Sequence, residues 1–385
     1  MSNPTDAVIV AAGRTPVGKR GGALSAIRPD DLGALLVRQL LDRAGIDGSV
    51  LDDLVLGCST PVGEQGWNLG RQVVLLAGLP VEVPAMTINR MCASSDQAVQ
   101  IAGQAIRCGD VDAVMACGVE SMSRVPMSSD GVRFSDHMRP RFRLIPQGRS
   151  AEMIADKWAL SRSTLDSFAL DSHQRAVEAG SRGCFDRELV PVATEGEGGA
   201  RVELTHDEGP RPTTSARQLA ALPPAFVEDG RITAGNSSQM SDGAAGVLVM
   251  SRRKAHDLGL RPRARVVHSV SVGSDPVLQL AGVIEATHKV LDRAGLSLAE
   301  IDHFEVNEAF ASVPMAWMAE TSVPHAKVNP RGGAIALGHP LGATGARIMV
   351  TMLHALEDGG GRYGLQTMCI GHGMANATII ERLDA

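Results

Sequence analysis

Short apolar runs alternate along the chain with longer segments whose apolar residues recur at helical spacing. "AVIVAA" (7–12), "DLVLGC" (53–58), "AMTIN" (85–89) and "AVMAC" (113–117) have the length and continuity of buried strands. "DDLGALLVRQLLDRAG" (30–45) and "SDQAVQIAGQAIRCG" (95–109) carry the periodicity of amphipathic helices. Such alternation predicts α/β layering.

The pattern also repeats. "LDRAGI" (41–46) returns as "LDRAGL" (291–296), 250 residues on. In that register "LDDLVLG" (51–57) faces "IDHFEVN" (301–307), and ten residues short of it, at an offset of 240, "TINR" (87–90) resembles "KVNP" (327–330). "VMACGVESM" (114–122) also matches "TMCIGHGMA" (367–375) in cadence. Two copies of one α/β half account for this economically. Between them lies a different segment, roughly 122–237. It opens with six arginines between 121 and 150, continues through a helical stretch (151–180) and reaches the glycine-rich "TEGEGGA" (194–200). It reads as loops and helices laid over the first half. Its arginines fit either a solvated surface or a phosphate-attracting patch. The division is therefore 1–121 with 238–253, an insertion at 122–237, and 254–385.

A chain of 385 residues, 44% of them hydrophobic, can bury a large core, which excludes a disordered protein. A net charge of -6 with 3% aromatics gives no basis for nucleic-acid binding. The N-terminus lacks the basic region of a signal peptide, and no apolar run is long enough to span a membrane. Six irregularly spaced cysteines without a CxxC pair suggest free thiols and a cytoplasmic location.

Four stretches could carry chemistry. In "NRMCASSDQAV" (89–99), Cys92 stands where a strand gives way to a helix, so the helix dipole and backbone N–H groups would act on its thiol. In "VNEAFAS" (306–312), Asn307 and Glu308 follow a strand and would either cap a helix or orient a water and a ligand. The glycine-rich "NPRGGAIALGHPLGATGAR" (329–347) holds His339 in a Gly/Pro turn and fits neither a P-loop nor a dinucleotide fingerprint. "MCIGHGMANATII" (368–380) sets a second thiol, Cys369, beside Gly371. The repeat would bring corresponding loops of the two halves together as one reaction centre.

With these motifs in hand, the sequence closely resembles the thiolase family over essentially its whole length. The resemblance is carried by Cys92-Ala93-Ser94, Asn307-Glu308-Ala309-Phe310, Gly338-His339-Pro340 and Cys369-Ile370-Gly371, with "GVESMSRVPM" and "ITAGNSSQMSDGAA" between them. It implies two α/β halves packed as five αβαβα layers with a loop domain inserted in the first. It implies that Cys92 takes the acyl group, that His339 removes its proton and that Cys369 serves as acid and base. Asn307 would hold a water that forms one oxyanion hole with His339. The N–H groups of Cys92 and Gly371 would form the second.

For coenzyme A, a co-substrate and not a permanent cofactor, the matching positions are Arg211, Phe226, Ala234, Gly235, Ser238 and Gly148. No metal is implied. Partners would be CoA and acyl-CoA, with self-association as a homodimer or homotetramer. The activity implied is 3-ketoacyl-CoA thiolysis. Rival readings are an acetoacetyl-CoA thiolase working in the condensation direction and a catalytically weak acyl-CoA-binding relative.

Some positions depart from the family pattern. Ser95-Asp96 follow the nucleophile motif, His372 follows Gly371, Ala375 replaces a glycine, and "SDPVLQLAGVIEA" (274–286) replaces a tunnel segment. These bear on acyl specificity and on the thiol pKa values. Asp96 would oppose a nearby thiolate, so its carboxylate is expected to point away from Cys92 and pair with a polar group across an interface.

Overall fold

The repeated "LDRAG" is a helix ending. Helix α1 (Pro29–Ala44) begins with Pro29, Asp30 and Asp31 and closes on Gly45 at φ 68°. Its counterpart in the second half closes on Gly295 at φ 66°. Both glycines take the left-handed conformation that ends a helix at no steric cost. The computed structural model describes residues 3–131, 134–138, 140–195 and 200–383.

In the first half, β1 (Ala7–Arg14), β2 (Gly18–Lys19) and α1 precede β3 (Asp53–Gly57), α2 (Leu69–Leu76), β4 (Ala85–Ile88), α3 (Ser94–Cys108) and β5 (Ala113–Ser121). The intervening segment holds α4 (Gln147–Lys157), α5 (Arg162–Ser181), β6 (Val192–Glu195), β7 (Arg201–Leu204) and α6 (Ala216–Ala220). Then come β8 (Ser241–Ser251) and α7 (Arg252–Asp257). The second half runs β9 (Ala264–Gly273), α8 (Gly282–Ala294), β10 (His303–Val306), α9 (Ser312–Thr321), α10 (Ala334–Leu337), α11 (Thr344–Gly359), β11 (Tyr363–Ile370) and β12 (Met374–Arg382).

The first-half strands lie in the order β4-β3-β5-β8-β1. The second-half strands lie in the order β10-β11-β12-β9, and Val328 bridges to Phe304 in parallel where a fifth strand would lie. In each half the first connections are parallel and the last antiparallel. Among the described residues, strand pairing between the two halves is confined to Val8 facing Arg265 and Ile9 facing Ala264. Strands β5 and β11 begin at Ala113 and Tyr363, so the 250-residue register holds here too. The cadence match of "VMACGVESM" with "TMCIGHGMA" is therefore out of register.

Three large hydrophobic cores hold the five layers together, the central one spanning both faces of the middle helices. Leu32, Leu36, Leu40, Val73 and Val74 of α1 and α2 pack on the outer face of the first sheet. Val99, Ala102 and Ile106 of α3 meet Met349, Val350 and Leu353 of α11 between the two sheets. Val283, Val290, Val313 and Trp317 of α8 and α9 cover the outer face of the second. "AMTIN" departs from expectation. It forms the edge strand β4, only partly buried, with Met86 39% exposed.

The inserted segment also departs from expectation. Its helices lie over the second half, because the apolar face made by Ile154, Ala155, Leu165 and Phe168 finds its partners among Val313, Trp317 and Val328. The β6–β7 hairpin and the loops beside it lean on the first half, through Val192, Leu204, a hydrogen bond from Thr194 to the Ala23 carbonyl, and the contacts of Arg14 with Glu188 and Asp207. The single helical stretch expected at 151–180 is two helices. Ala159 turns left-handed at φ 51°, and the Ser161 hydroxyl accepts the Thr164 N–H to start α5. Residues 196–199 of "TEGEGGA", and Arg133 and Arg139 of the arginine-rich stretch, lie outside the described residues. Among the described residues no helix is long and apolar enough to cross a membrane.

Candidate active site

Cys92 lies in a single 3₁₀ turn, Met91–Ala93, that feeds α3. Met91, just before it, is left-handed at φ 49°. That conformation costs a non-glycine residue about 1–3 kcal/mol and persists only where its surroundings hold it. Here the Asn89 carboxamide accepts the Met91 N–H at 2.7 Å. The Ser94 hydroxyl accepts the Arg90 N–H at 3.0 Å and donates to the Met91 carbonyl at 2.6 Å. The turn thus presents the thiol at the base of the first half, 6% exposed.

His339 comes from the second half through a turn that only glycine can make. Gly338 has φ 100°, and a Cβ there would lie 2.4 Å from the Ser241 hydroxyl. The His339 N–H donates to the Gln239 carbonyl and to the Ser241 hydroxyl. The imidazole is buried, with Nδ1 2.7 Å from the Thr344 hydroxyl and Nε2 3.4 Å from Asn307 Nδ2.

The paired polar residues after β10 divide the two tasks that the sequence left open. Glu308 caps. Its carboxylate accepts the Ile335 N–H at the start of α10 and the Ser172 hydroxyl, and Asn329 donates to it at 2.9 Å. Asn307 faces His339 instead. Cys369 is the penultimate residue of β11, close enough to Cys92 to feel its charge, and Gly371 follows the strand. The structure brings Cys92 to Cys369 and the Gly371 N–H, and Asn307 to His339; Leu341, two residues after His339, packs with Cys92, and the Asn307 N–H donates to Thr367 of the Cys369 strand, so residues up to 279 apart in sequence become neighbours.

Burial pushes every titratable group here toward its neutral form. It drives the Cys92 thiol up to about 12; the nearby Glu120 carboxylate adds to this, while the N–H groups of Cys92 and Gly371 reach the sulfur and offset part of it. Cys369 is raised by burial and then by Cys92. His339 falls to about 3, first through burial and then through the Arg347 guanidinium. The site thus rests as two thiols and a neutral imidazole, a donor and acceptor set that can pass a proton without creating separated charges.

Asp96 meets the expectation set for it. Its carboxylate is fully buried and turned to neutral donors: Gln100 at 2.8 Å, Gln366 at 2.6 Å and Thr378 at 2.9 Å. Gln366 and Thr378 belong to β11 and β12, so the contact crosses between the halves. Burial raises the Asp96 pKa, and these hydrogen bonds oppose the rise.

Three of the CoA candidates cluster near Phe310, in the same segment as Asn307. Phe226 packs edge-on against Phe310 with centroids 5.7 Å apart, and Gly148 lies beneath Phe226, where a Cβ would strike the ring at 2.2 Å. The Ser238 N–H donates to the Ala309 carbonyl. Gly235 packs on Leu219 and Leu222, and Ala234 is exposed beside it. Arg211 meets His173 through its backbone N–H, with its side chain at the surface.

Sequence reasoning missed Glu120 and Thr344. Glu120 accepts the N–H groups of Ser59, Thr60 and Gly342 and the Gln65 carboxamide, fixing the floor on which both halves' turns rest. A glutamate ending the wholly apolar run "AVMACGV" was the available signal.

Comparison with known proteins agrees with this architecture. Residues 7–253 match the thiolase N-terminal domain and residues 260–382 the thiolase C-terminal domain. A steroid 3-ketoacyl-CoA thiolase of Mycobacterium tuberculosis is 50% identical, covering 98% of this chain and 95% of its own. A 3-ketoacyl-CoA thiolase of Bacillus subtilis is 45% identical, covering 98% and 99%. The crystal structure of the Bacillus anthracis acetyl-CoA acetyltransferase matches with a TM-score of 0.91 at 35% identity, covering 98% and 99%. Two domain matches spanning nearly the whole chain, and relatives of this identity, place it among acyltransferases that use CoA as a co-substrate: the chain belongs to the thiolase family.

Proposed function

We propose that this chain is a degradative 3-ketoacyl-CoA thiolase, cleaving 3-ketoacyl-CoA with CoA to acetyl-CoA and a shortened acyl-CoA. The observation that carries the reading is the meeting of two thiols, a neutral imidazole and a carboxamide at one buried point, with the N–H groups of Cys92 and Gly371 directed at one of those thiols.

The Cys92 sulfur attacks the 3-keto carbon while its proton passes to His339 Nε2. The N–H groups of Cys92 and Gly371 stabilise the resulting oxyanion. Collapse breaks the C2–C3 bond and leaves the electron pair on C2, delocalised into the thioester as an enolate. A water on Asn307, with protonated His339, stabilises the enolate oxygen. The Cys369 thiol protonates C2, and acetyl-CoA leaves. The Cys369 thiolate then takes the proton of incoming CoA, whose sulfur displaces Cys92 from the acyl group. Cys92 recovers its proton from His339, and the site is restored. A thiol suits this acid–base task because its pKa is close to that of the thiol substrate.

Met91, Met122, Leu341, Met368, Ile370 and Met374 surround Cys92. Flexible methionines adapt to varied apolar shapes, which favours an acyl chain longer than acetyl over a strictly acetoacetyl-CoA activity. Gly148, Phe226, Ala234, Gly235 and Ser238 would take the pantetheine and adenine, and Arg211 the nucleotide phosphates. Cytoplasmic location and homo-oligomer formation complete the proposal. The latter is supported by the exposed Trp67, Leu75, Leu76, Val81 and Met86 along and beside the open edge of β4.

Intact-mass spectrometry after mixing with a 3-ketoacyl-CoA tests the reading. The wild type should gain the mass of one shortened acyl group, and Cys92→Ala none. Equal masses for both proteins would overturn it. Exclusive turnover of acetoacetyl-CoA would overturn the chain-length assignment.

A further inference from the structure

We infer that Thr344 is a positioning residue that fixes His339 as the Nδ1–H tautomer and so leaves the Nε2 lone pair free to act as base. The inference rests on the thiolase reading and adds a residue to it.

The protons can be placed from distances alone. The Thr344 oxygen is 2.8 Å from the Pro340 carbonyl oxygen and 2.7 Å from His339 Nδ1. Two oxygens that close repel unless a hydrogen lies between them, and a carbonyl has none to give. The threonine proton is therefore committed to Pro340. What remains on the hydroxyl is acceptor capacity, so Nδ1 must carry the hydrogen. Nε2 is then bare, and the amide of Asn307 donates toward it at 3.4 Å. Thr344 is fully buried, so no solvent offers Nδ1 another partner.

The internal repeat explains why the hydroxyl is available. At the 250-residue offset Thr344 corresponds to Ser94, Pro340 to Arg90 and His339 to Asn89. Matching 3₁₀ turns, Met91–Ala93 and Leu341–Ala343, lead into α3 and α11. In the first half the Ser94 hydroxyl accepts the Arg90 N–H at 3.0 Å. In the second half that position is Pro340, which has no N–H. The equivalent hydroxyl, deprived of its backbone donor, receives the imidazole instead. A helix start has become the socket of a base.

The test reads the tautomer in the resting protein, without substrate. In histidine-labelled protein, with His339→Asn to assign the signal, the imidazole ¹⁵N shifts should report Nδ1–H in wild type and in Thr344→Ser. In Thr344→Val they should move toward Nε2–H. Turnover should follow: kcat lower by about 10- to 100-fold in Thr344→Val, with KM within about twofold, and near wild type in Thr344→Ser. If Thr344→Val does not fold, Pro340→Ala supplies the second route. It keeps Thr344 but restores the competing N–H, and should shift the tautomer the same way. An unchanged Nδ1–H signal in the folded variant, or Thr344→Ser as slow as Thr344→Val, overturns the inference. Failure of the parent reading would show separately, as an absent acyl adduct on wild type.

Discussion

A thiol beside a histidine at a helix start invites comparison with sites that rest as a thiolate–imidazolium pair. This site should not. Burial places Cys92 at about 12 and His339 at about 3. Moving the proton from one to the other crosses about nine pH units, or about 12 kcal/mol at about 1.4 kcal/mol per unit. Even at contact, about 4 Å, two unit charges at an effective dielectric of about 20 return only about 4 kcal/mol. About 8 kcal/mol still opposes the ion pair, so the neutral pair dominates the resting enzyme. The assay is iodoacetamide alkylation of Cys92 followed by peptide mass spectrometry, which separates it from the exposed Cys108 and the partly exposed Cys184. Only thiolate reacts, and with a pKa near 12 about one Cys92 in ten thousand is ionised at pH 8. The rate should climb about tenfold per pH unit from 7 to 10 without a plateau. The same placement keeps His339 unprotonated across pH 5–8, so kcat/KM should show no acid limb near the ordinary histidine pKa. A pH-independent alkylation rate between 6 and 8 would refute the reasoning.

Three further outcomes are expected. Cys369→Ala should still form some acyl adduct on Cys92 but lose about 10²- to 10⁴-fold in kcat, since proton transfer to and from the thiol substrate is removed; normal turnover would exclude the acid–base role. Asp96→Asn should stay within about 1 kcal/mol of wild type, whereas Asp96→Leu, which strands the donors of Gln100, Gln366 and Thr378, should lose about 3 kcal/mol in denaturant unfolding. Arg14→Met leaves Glu188 buried without the partner it meets at 2.7 Å, and Asp207 without its own, so melting should report a loss of about 3–5 kcal/mol.

The layered fold was legible because apolar spacing and a repeated glycine-ended helix are local signals. The strand at 7–12 and the helices at 30–45 and 95–109 emerge with boundaries moved by a residue or two. Partners are another matter. An amphipathic helix announces that it has an apolar face but not what covers it, and so α4 and α5 lie over the second half instead of the first. The four side chains proposed to react were visible as motifs, whereas the partners that surround them were not. Asp96 is held by Gln366, 270 residues away, and no local pattern encodes that contact. The role of Thr344 depends on an absent hydrogen at Pro340, which becomes visible only when the halves are compared in register. Glu308 and Asn307 are adjacent and both polar, and only the fold shows which of them caps a helix.

Among the described residues the strands of the two halves pair at two positions, and the proposed reaction centre lies between the halves: Cys92 comes from one side and its four companions from the other. Neither half therefore owns a working site. Activity becomes a gauge of how well the halves are docked. A change that lets them part by a fraction of an ångström, with each sheet still intact, separates the nucleophile from its base. On heating, turnover should thus fail before circular dichroism records any loss of helix or strand, and the gap between the two curves measures the strength of the seam.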